Sequence, residues 1–372
     1  MGRRHTARTT QARHQRIAVQ LRQMLAAGGY RPGDRFPSQY ELAERFKTSP
    51  LTAREAVAPL VEEGLLERRF GSGTFVLRTH AETFIGVCTA MDISHPALSP
   101  FFLHLIQAVR RSLEARGHRT RIYTGQAPPF GAPPERWESA DLPADLAARR
   151  LSGIVMVGTD PGLSASVLGD CGLPTVDAAG IDGKPLWDMQ DEVRRSVERL
   201  AKLGCRRAAC IAWGEAGQRP HSLDAFARAA KAHGLDVRRE WLIATRTTEK
   251  MGDGAEAFRR IWDALPEKPD GLYVQDDILY RDLAPHLLLQ RIEIPGQLQI
   301  VSHVNPRDTR PLLPTPLGIG PDPHELGEAL AVNLCARMAD PRATTTDMPV
   351  PVHFYKATSP SEWVAENEGT SA

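Results

Sequence analysis

The run LLERRFGSGTFVL, residues 65–77, sets Arg68 and Arg69 beside Gly71, Ser72 and Gly73. Glycines there permit the positive φ of a tight hairpin and let the backbone come close to a phosphate, while the two basic side chains flank the tip. That is chemistry for holding a polyanion rather than for making or breaking bonds. Signatures of bond-making are missing from the chain. There is no GxxxxGK(S/T) phosphate loop, since Gly180 to Lys184 is too short and wrongly spaced, and there is no HExxH or GxSxG. GSGTF at 71–75 lacks the third glycine of a dinucleotide loop and leads into a strand rather than a helix. Cys205 and Cys210 stand five apart with no histidine at zinc-ligand spacing, so they read as packing residues. No cofactor, no metal and no catalysis are expected.

The elements that must position the basic tip are legible upstream of it. In Arg13 to Leu25 the residues Ile17, Ala18, Leu21, Met24 and Leu25 share one helical stripe that stops at Gly28-Gly29. Ser38 with Glu41 three residues on forms a capping box and opens a short helix with Leu42, Ala43 and Phe46 inward. Ser49 caps a third helix, Pro50 takes its first position, and Leu51, Ala53, Val57, Leu60 and Val61 carry it to Glu63, where Gly64 ends it. Pro59 inside this helix removes the bond to the Glu55 carbonyl and is expected to kink it. Two short helices across a tight turn fit a helix-turn-helix, and a basic hairpin behind three helices makes it winged, the wing being placed to touch backbone or minor groove.

Charge divides the chain in the same place. Residues 1–79 carry 14 Lys+Arg against 7 Asp+Glu, and the remainder carries 32 against 38, although the whole chain is only +1. A small basic module joined to a larger acidic one implies that the first part alone meets a nucleic acid. The 372 residues allow two or three domains, each with a core of its own. No run of 18 apolar residues predicts a membrane span, the basic N-terminus lacks the apolar stretch of a secretory signal, and five cysteines without a CxxC pair read as reduced thiols. The expected location is the cytoplasm.

The stretches LRQMLAAGGYRPGDRFPSQYELAERF and TAREAVAPLVEEGLLERRFGSGTFV resemble the DNA-binding domain of the GntR family over about sixty residues, Ile17 to Val76. The resemblance implies that the helix beginning at Ser49 enters the major groove. It implies Thr52 and Arg54 as base or phosphate contacts, Arg35 and Ser38 on the phosphate backbone, and Arg68 with Gly71, Ser72 and Gly73 at the wing. Relatives often carry basic residues where this chain has Tyr40 and Pro50, so those two contacts are lost or replaced.

From Thr83 on, short apolar runs alternate with amphipathic helices: FIGVCTAM, Phe101 to Ala115, TRIYT, a Pro- and Gly-rich loop, DLPADLAARRL, GIVMVG, a helix near Leu163 to Leu168, and LPTVDA. A second half repeats the rhythm, with a helix over about Asp191 to Leu203, RRAACIAW, Ser222 to His233, WLIATR, Gly254 to Ala264, GLYVQ, Asp277 to Gln290 and LQIVSH. This spacing calls for an α/β fold with parallel, doubly wound sheets in two lobes, and a ligand collects at the carboxyl ends of such strands. The order of FIGV with LSPFFLHLIQAVRRSLEARGH, VERLAKLGCRRAACI, GLYVQDDILYRDLAPHLLLQRIEIPGQLQIVSHVN, PLGIGPDPHELGEALAVNL and VPVHFYKATS resembles the effector domain of LacI/GalR repressors, which shares the periplasmic-binding-protein fold. That resemblance implies ligand positions at Phe101, Phe102, Asp177, Arg219, Arg246 and Asp277. The phenylalanines would offer faces to a ring, core packing being expected of Phe102 more than of Phe101. The Asp277 carboxylate would accept hydroxyl hydrogen bonds or cap its helix. The family's usual second-lobe Arg is Ser222 here, with Arg219 three residues earlier, and the usual Asp after LQIVSH is replaced by Val304 and Asn305.

The expected domains are a flexible basic arm 1–12, a winged helix-turn-helix 13–78, a linker 79–83, an effector-binding domain 84–358 and a flexible tail 359–372. The expected function is a homodimeric, ligand-responsive transcriptional regulator. It would repress carbohydrate-utilisation genes from double-stranded operator DNA under control of a small molecule, a sugar, with no membrane partner. A purine- or nucleoside-sensing repressor is the alternative reading, and a cytoplasmic small-molecule-binding protein or enzyme a further one.

Overall fold

The computed structural model describes the chain apart from residues 1–2, 28, 79–82, 96–97, 128–140, 159–170, 181–183, 215–219, 246–252, 309, 345–348, 360–361 and 367–372. Two compact units make it up, Met1–Thr83 with Asp145–Arg150, and Phe84–Ala144 with Leu151–Ala372. The expected linker, the Pro- and Gly-rich loop and the helix near Leu163 lie largely or wholly outside the described residues.

The first unit opens with helix α1 (Arg3–Ala26). The expected flexible arm is therefore helical backbone from Arg3 onward. Neither Gly nor Pro occurs between Arg3 and Ala26 to stop the helix. Helix α2 (Gln39–Arg45) starts on the capping box, with the Glu41 N–H donating to Ser38 Oγ and the Ser38 N–H to the Glu41 carboxylate at 2.6 Å. Helix α3 (Pro50–Glu62) starts on Ser49, whose Oγ accepts from the Thr52 N–H at 3.1 Å. Pro59 does not end α3, which runs on to Glu62. Ile17, Leu21 and Leu25 pack on Leu42, Ala53, Leu60, Leu66 and Val76, forming one small core. Arg22 clamps the far end of α3 through Glu63, Nε to Oε2 being 2.9 Å.

Three antiparallel strands complete this unit: β1 (Arg35–Phe36), β2 (Leu66–Arg69) and β3 (Gly73–Val76), with β3 in the middle. The two-residue β1 was not foreseen, because so short a strand has no periodicity to read. In the wing turn the Ser72 N–H bonds the Arg69 carbonyl, with Gly71 at φ 72°. A side chain at Gly71 would strain that turn.

Among the described residues the second unit contains two sheets. The first, ordered β5–β4–β6–β7, is wholly parallel: β4 (Phe84–Met91), β5 (Thr120–Ala127), β6 (Leu151–Met156) and β7 (Thr175–Asp177). Helix α4 (Pro100–Ala115) belongs to this lobe, while α5 (Asp141–Ala147) runs across the division, its residues from Asp145 on being grouped with the first unit. In the second lobe α6 (Met189–Lys202), α7 (His221–Ala232), α8 (Asp253–Ala264) and α9 (Asp277–Leu289) alternate with β8 (Ala208–Trp213), β9 (Leu242–Thr245), β10 (Gly271–Val274) and β11 (Gln299–His303). Parallel order β9–β8–β10–β11 continues into β12 (Leu317–Pro321). The chain then leaves as α10 (Pro323–Ala339), whose Leu326, Leu330 and Leu334 join the core of the first lobe, before returning as β13 (Val352–Ser359). The lobes are thus stitched by three crossings. Two of them lie side by side, joined by the bond from the Val350 N–H to the Leu186 carbonyl.

The expected flexible tail holds a strand, β14 (Glu362–Ala365), antiparallel to β13. Trp363 is buried in the second-lobe core, and Glu366 accepts from Arg199 at 2.7 Å. One aromatic at the right register anchors a segment too short to show alternation.

Candidate nucleic-acid interface and effector site

Between α2, α3 and the wing lies an open groove of about 690 Å3, bordered by Arg35, Ser38, Tyr40, Arg54, Arg68, Gly71 and Gly73. Each arrives for a local reason. Arg54 stands on the exposed face of α3, and no acidic side chain bonds its guanidinium among the described residues. Arg68 reaches across from β2 and donates to the Arg54 carbonyl at 3.2 Å, tying the wing to that helix. Arg35 lies against Gly73, where a Cβ would come within 3.3 Å of its Nε. Arg69, at the turn end of β2, is bonded to Glu67 at 2.9 Å and stacked 4.6 Å from the Phe75 ring centroid. One face thus collects several guanidinium groups, helix α2 by its capped end, and a glycine-containing turn.

A second set of groups gathers at the carboxyl ends of β10 and β11. Asp276 caps α9, its Oδ1 accepting from the Ile278 N–H at 2.8 Å. Burial pushes its carboxyl up to about 6, helped by the neighbouring Asp277 charge and opposed by His303. Asp277 is only 2% exposed. Its Oδ1 accepts from Ser99 Oγ at 3.4 Å, at the start of α4 in the other lobe, while Oδ2 has no hydrogen-bond partner among the described residues and lies 3.7 Å from Arg281 Nε. Burial holds this carboxyl above its ordinary range as well. Arg281 in turn bonds Asp308, which Arg310 also contacts at 3.1 Å.

Glu192, in the first turn of α6, is wholly buried and accepts from the Tyr273 hydroxyl at 3.1 Å, with His303 Nδ1 at 2.9 Å. For His303 desolvation is the largest influence and opposes protonation, but Glu192, Asp277 and Asp276 together outweigh it and raise the ring to about 9. It is therefore an imidazolium at neutral pH. Glu192 Oε2, Gln275 Oε1 and Asn305 Nδ2 have no hydrogen-bond partner among the described residues. Buried polar atoms left unpaired cost about 1–3 kcal/mol each unless something satisfies them.

Residues 13–76 match the bacterial regulatory proteins of the gntR family, and residues 197–356 match the periplasmic binding protein-like domain. The chain joins a GntR-type DNA-binding module to a periplasmic binding protein-like domain. The arabinose metabolism transcriptional repressor of Geobacillus stearothermophilus is 23% identical over 304 residues, 78% of this chain and 82% of that protein. The HTH-type transcriptional repressor NagR of Bacillus subtilis (strain 168) is 41% identical over 86 residues, 23% of this chain and 35% of that one. The solved structure of the transcriptional regulator CelR–cellobiose complex aligns with a TM-score of 0.58 at 19% identity, covering 85% of this chain and 92% of that one. Among the described residues no helix is long and apolar enough to cross a membrane.

Within the GntR-type module, the groove brings together Arg35, Ser38, Arg54, Arg68, Gly71 and Gly73, and Ser72 is exposed in the turn beside them. Thr52 is placed elsewhere. It is only 6% exposed, and its hydroxyl lies 2.9 Å from Ser49 Oγ. It faces inward because the positions of α3 that pack on α1 and α2 include Thr52, Ala53, Ala56 and Leu60. Gln39 and Tyr40 also border the groove, and Leu51 is exposed at the start of α3.

In the binding-protein-like domain the burial of the two phenylalanines is the reverse of that expected. Phe101 is 8% exposed and meets the Trp187 ring at 5.6 Å, because its i+4 and i+8 partners Leu105 and Val109 form the inward stripe of α4. Phe102 is half-buried beside Gly158. Asp177 ends β7 and accepts from the Ala179 N–H at 2.8 Å. Arg219 and Arg246 lie outside the described residues. Sequence reading passed over Ser99, Glu192, Asp276 and His303. Their signals, a helix cap, a first-turn acid, a second cap and a strand-end histidine, are individually commonplace.

Proposed function

We propose that this protein is a homodimeric transcriptional repressor of carbohydrate-utilisation genes, acting in the cytoplasm without catalysis, and released from or retained on its operator according to a sugar held in the binding-protein-like domain. The groove carries the reading: bordering cations with Arg54 unneutralised, at the edge of a capped helix pair and a tight basic turn, suit a duplex and little else. Arg54 contacts a base edge or a phosphate. Arg35 and Arg68 hold the phosphate backbone, with Ser38 and the Gly71-Ser72-Gly73 turn offering close approach. Thr52 sets the start of the reading helix rather than touching DNA.

For the effector, Asp277 Oδ2, Glu192 Oε2 and Gln275 Oε1 are acceptors and Asn305 Nδ2 a donor, a complement suited to several hydroxyls. Phe102 supplies a ring face, and Asp177 stands on the first-lobe side. Likeness to an arabinose repressor and to a cellobiose-bound regulator supports a sugar as the ligand class. Selection of duplexes from a random pool, with and without arabinose, cellobiose and a purine, tests both halves. A single enriched pseudo-palindrome whose retention changes with one sugar is expected, and Asp277→Asn should weaken that response about tenfold while leaving DNA affinity unchanged. Failure to enrich any duplex refutes the reading. A response to the purine alone moves the effector class.

A further inference from the structure

Phe70 is fully exposed, alone at the apex of the wing. An isolated exposed apolar side chain needs no explanation in general. The setting is what distinguishes this one. Phe70 follows Arg68 and Arg69 and precedes Gly71, in a turn closed by the Ser72-to-Arg69 backbone bond, and it borders the same groove as Arg35 and Arg54. Arg69, its neighbour, is turned away from it, committed to Glu67 and to the Phe75 ring. The hairpin behind it is paired at four positions, from Leu66↔Val76 to Arg69↔Gly73. Cations that bring the wing to a phosphate-lined groove therefore deliver a hairpin-mounted aromatic to the base stack.

We propose that Phe70 is an apolar wedge that enters the minor groove and partly unstacks one base step. That makes it a specificity determinant for a step that no hydrogen bond reads. The inference rests on the DNA-binding reading above. Apolar side chains inserted between base pairs kink a duplex toward the major groove, and pyrimidine–purine steps yield most easily. The selected operator is therefore expected to carry TA or CA/TG where each wing lands, and to bend there by on the order of 20° or more.

The test uses the full chain and the duplex enriched by selection, with 2-aminopurine substituted in turn along the flanks. Wild-type protein at saturation should raise 2-aminopurine fluorescence at least threefold at one step in each half-site, and circularly permuted fragments should show the bend. Phe70→Ala should abolish the fluorescence rise, reduce the bend and relax the step preference about tenfold. Phe70→Leu should restore all three. Since Phe70 packs against nothing, both variants should unfold at the wild-type temperature. Arg54→Ala is the control: it should weaken affinity yet keep the fluorescence rise once enough protein is added. The wedge is overturned if Phe70→Ala keeps the rise and the step preference, or if wild-type protein binds with no rise at any position. Loss of all duplex binding by wild-type protein would instead sink the DNA-binding reading on which it rests.

Discussion

Arg54 is exposed and His303 largely buried, and each makes a separate prediction. Arg54 contributes nothing visible to packing, so Arg54→Ala should leave the unfolding temperature unchanged while weakening operator binding about ten- to a hundredfold, the worth of one good base contact. A gel-shift titration beside a thermal melt checks it, and unchanged affinity would move the reading role elsewhere on α3. His303 works on stability. Its folded pKa, about 9, lies above the ordinary imidazole value of 6.5. The stabilisation it gives is therefore complete below about pH 6.5 and is lost as pH rises through 9. Glu192 from α6, Asp276 capping α9 and Asp277 in its first turn hold that charge in place, and the Tyr273 hydroxyl donates to Glu192 behind it. Melting temperatures followed from pH 6 to 9.5 should fall steadily, and His303→Gln should flatten the profile. A wild-type profile flat over that range would show the ring to be neutral.

Among the elements, α10 makes a close helix-to-helix contact. Although it follows a second-lobe strand, it packs on α4 in the first lobe, and Gly327 makes that possible. A Cβ at Gly327 would come within 2.5 Å of the Ala108 Cβ and 2.8 Å of its carbonyl carbon, backbone that cannot step aside. Gly327→Val is thus expected to cost about 1–3 kcal/mol or more by forcing the helices apart. Calorimetry should show the transition of the binding-protein-like domain several degrees lower. A variant as stable as wild type would mean that α10 shifts freely on α4. The wing and the capped ends of α2 and α3 belong to the opposite class, being built almost entirely from contacts within a few residues.

For the whole molecule, the prediction concerns salt. The divided charge, +7 in residues 1–79 against −6 in the rest, favours polyanion binding at one end of the chain. If about six phosphates are neutralised, affinity should drop roughly a thousandfold between 50 and 200 mM salt. Filter binding across that range is sufficient, and a flat response would exclude phosphate-led binding. If a sugar controls DNA binding as proposed, reciprocity applies: whatever factor it imposes on DNA affinity, operator DNA must impose on its affinity. The bond between Ser99 and Asp277, which links the lobes at the proposed ligand position, is the contact such a ligand would have to respect or replace.

Reading residues in order was enough for whatever is decided over short range. Ser38 with Glu41, Ser49 with Pro50, the glycines of the wing and the alternation of strand and helix from Phe84 onward all announce themselves, because caps, turns and periodicity draw on neighbours three or four positions away. The groove's composition was legible for the same reason, its members lying on consecutive short elements. Tertiary structure alone decided that Thr52 and Phe101 turn inward, since burial depends on which helix arrives to cover a face. It alone paired β14 with β13 through Trp363 and placed Glu192 against His303 and Ser99 against Asp277, partners 111 and 178 residues apart. Contacts at that separation follow from how the two lobes close on three crossings of the chain, and no local pattern carries that information.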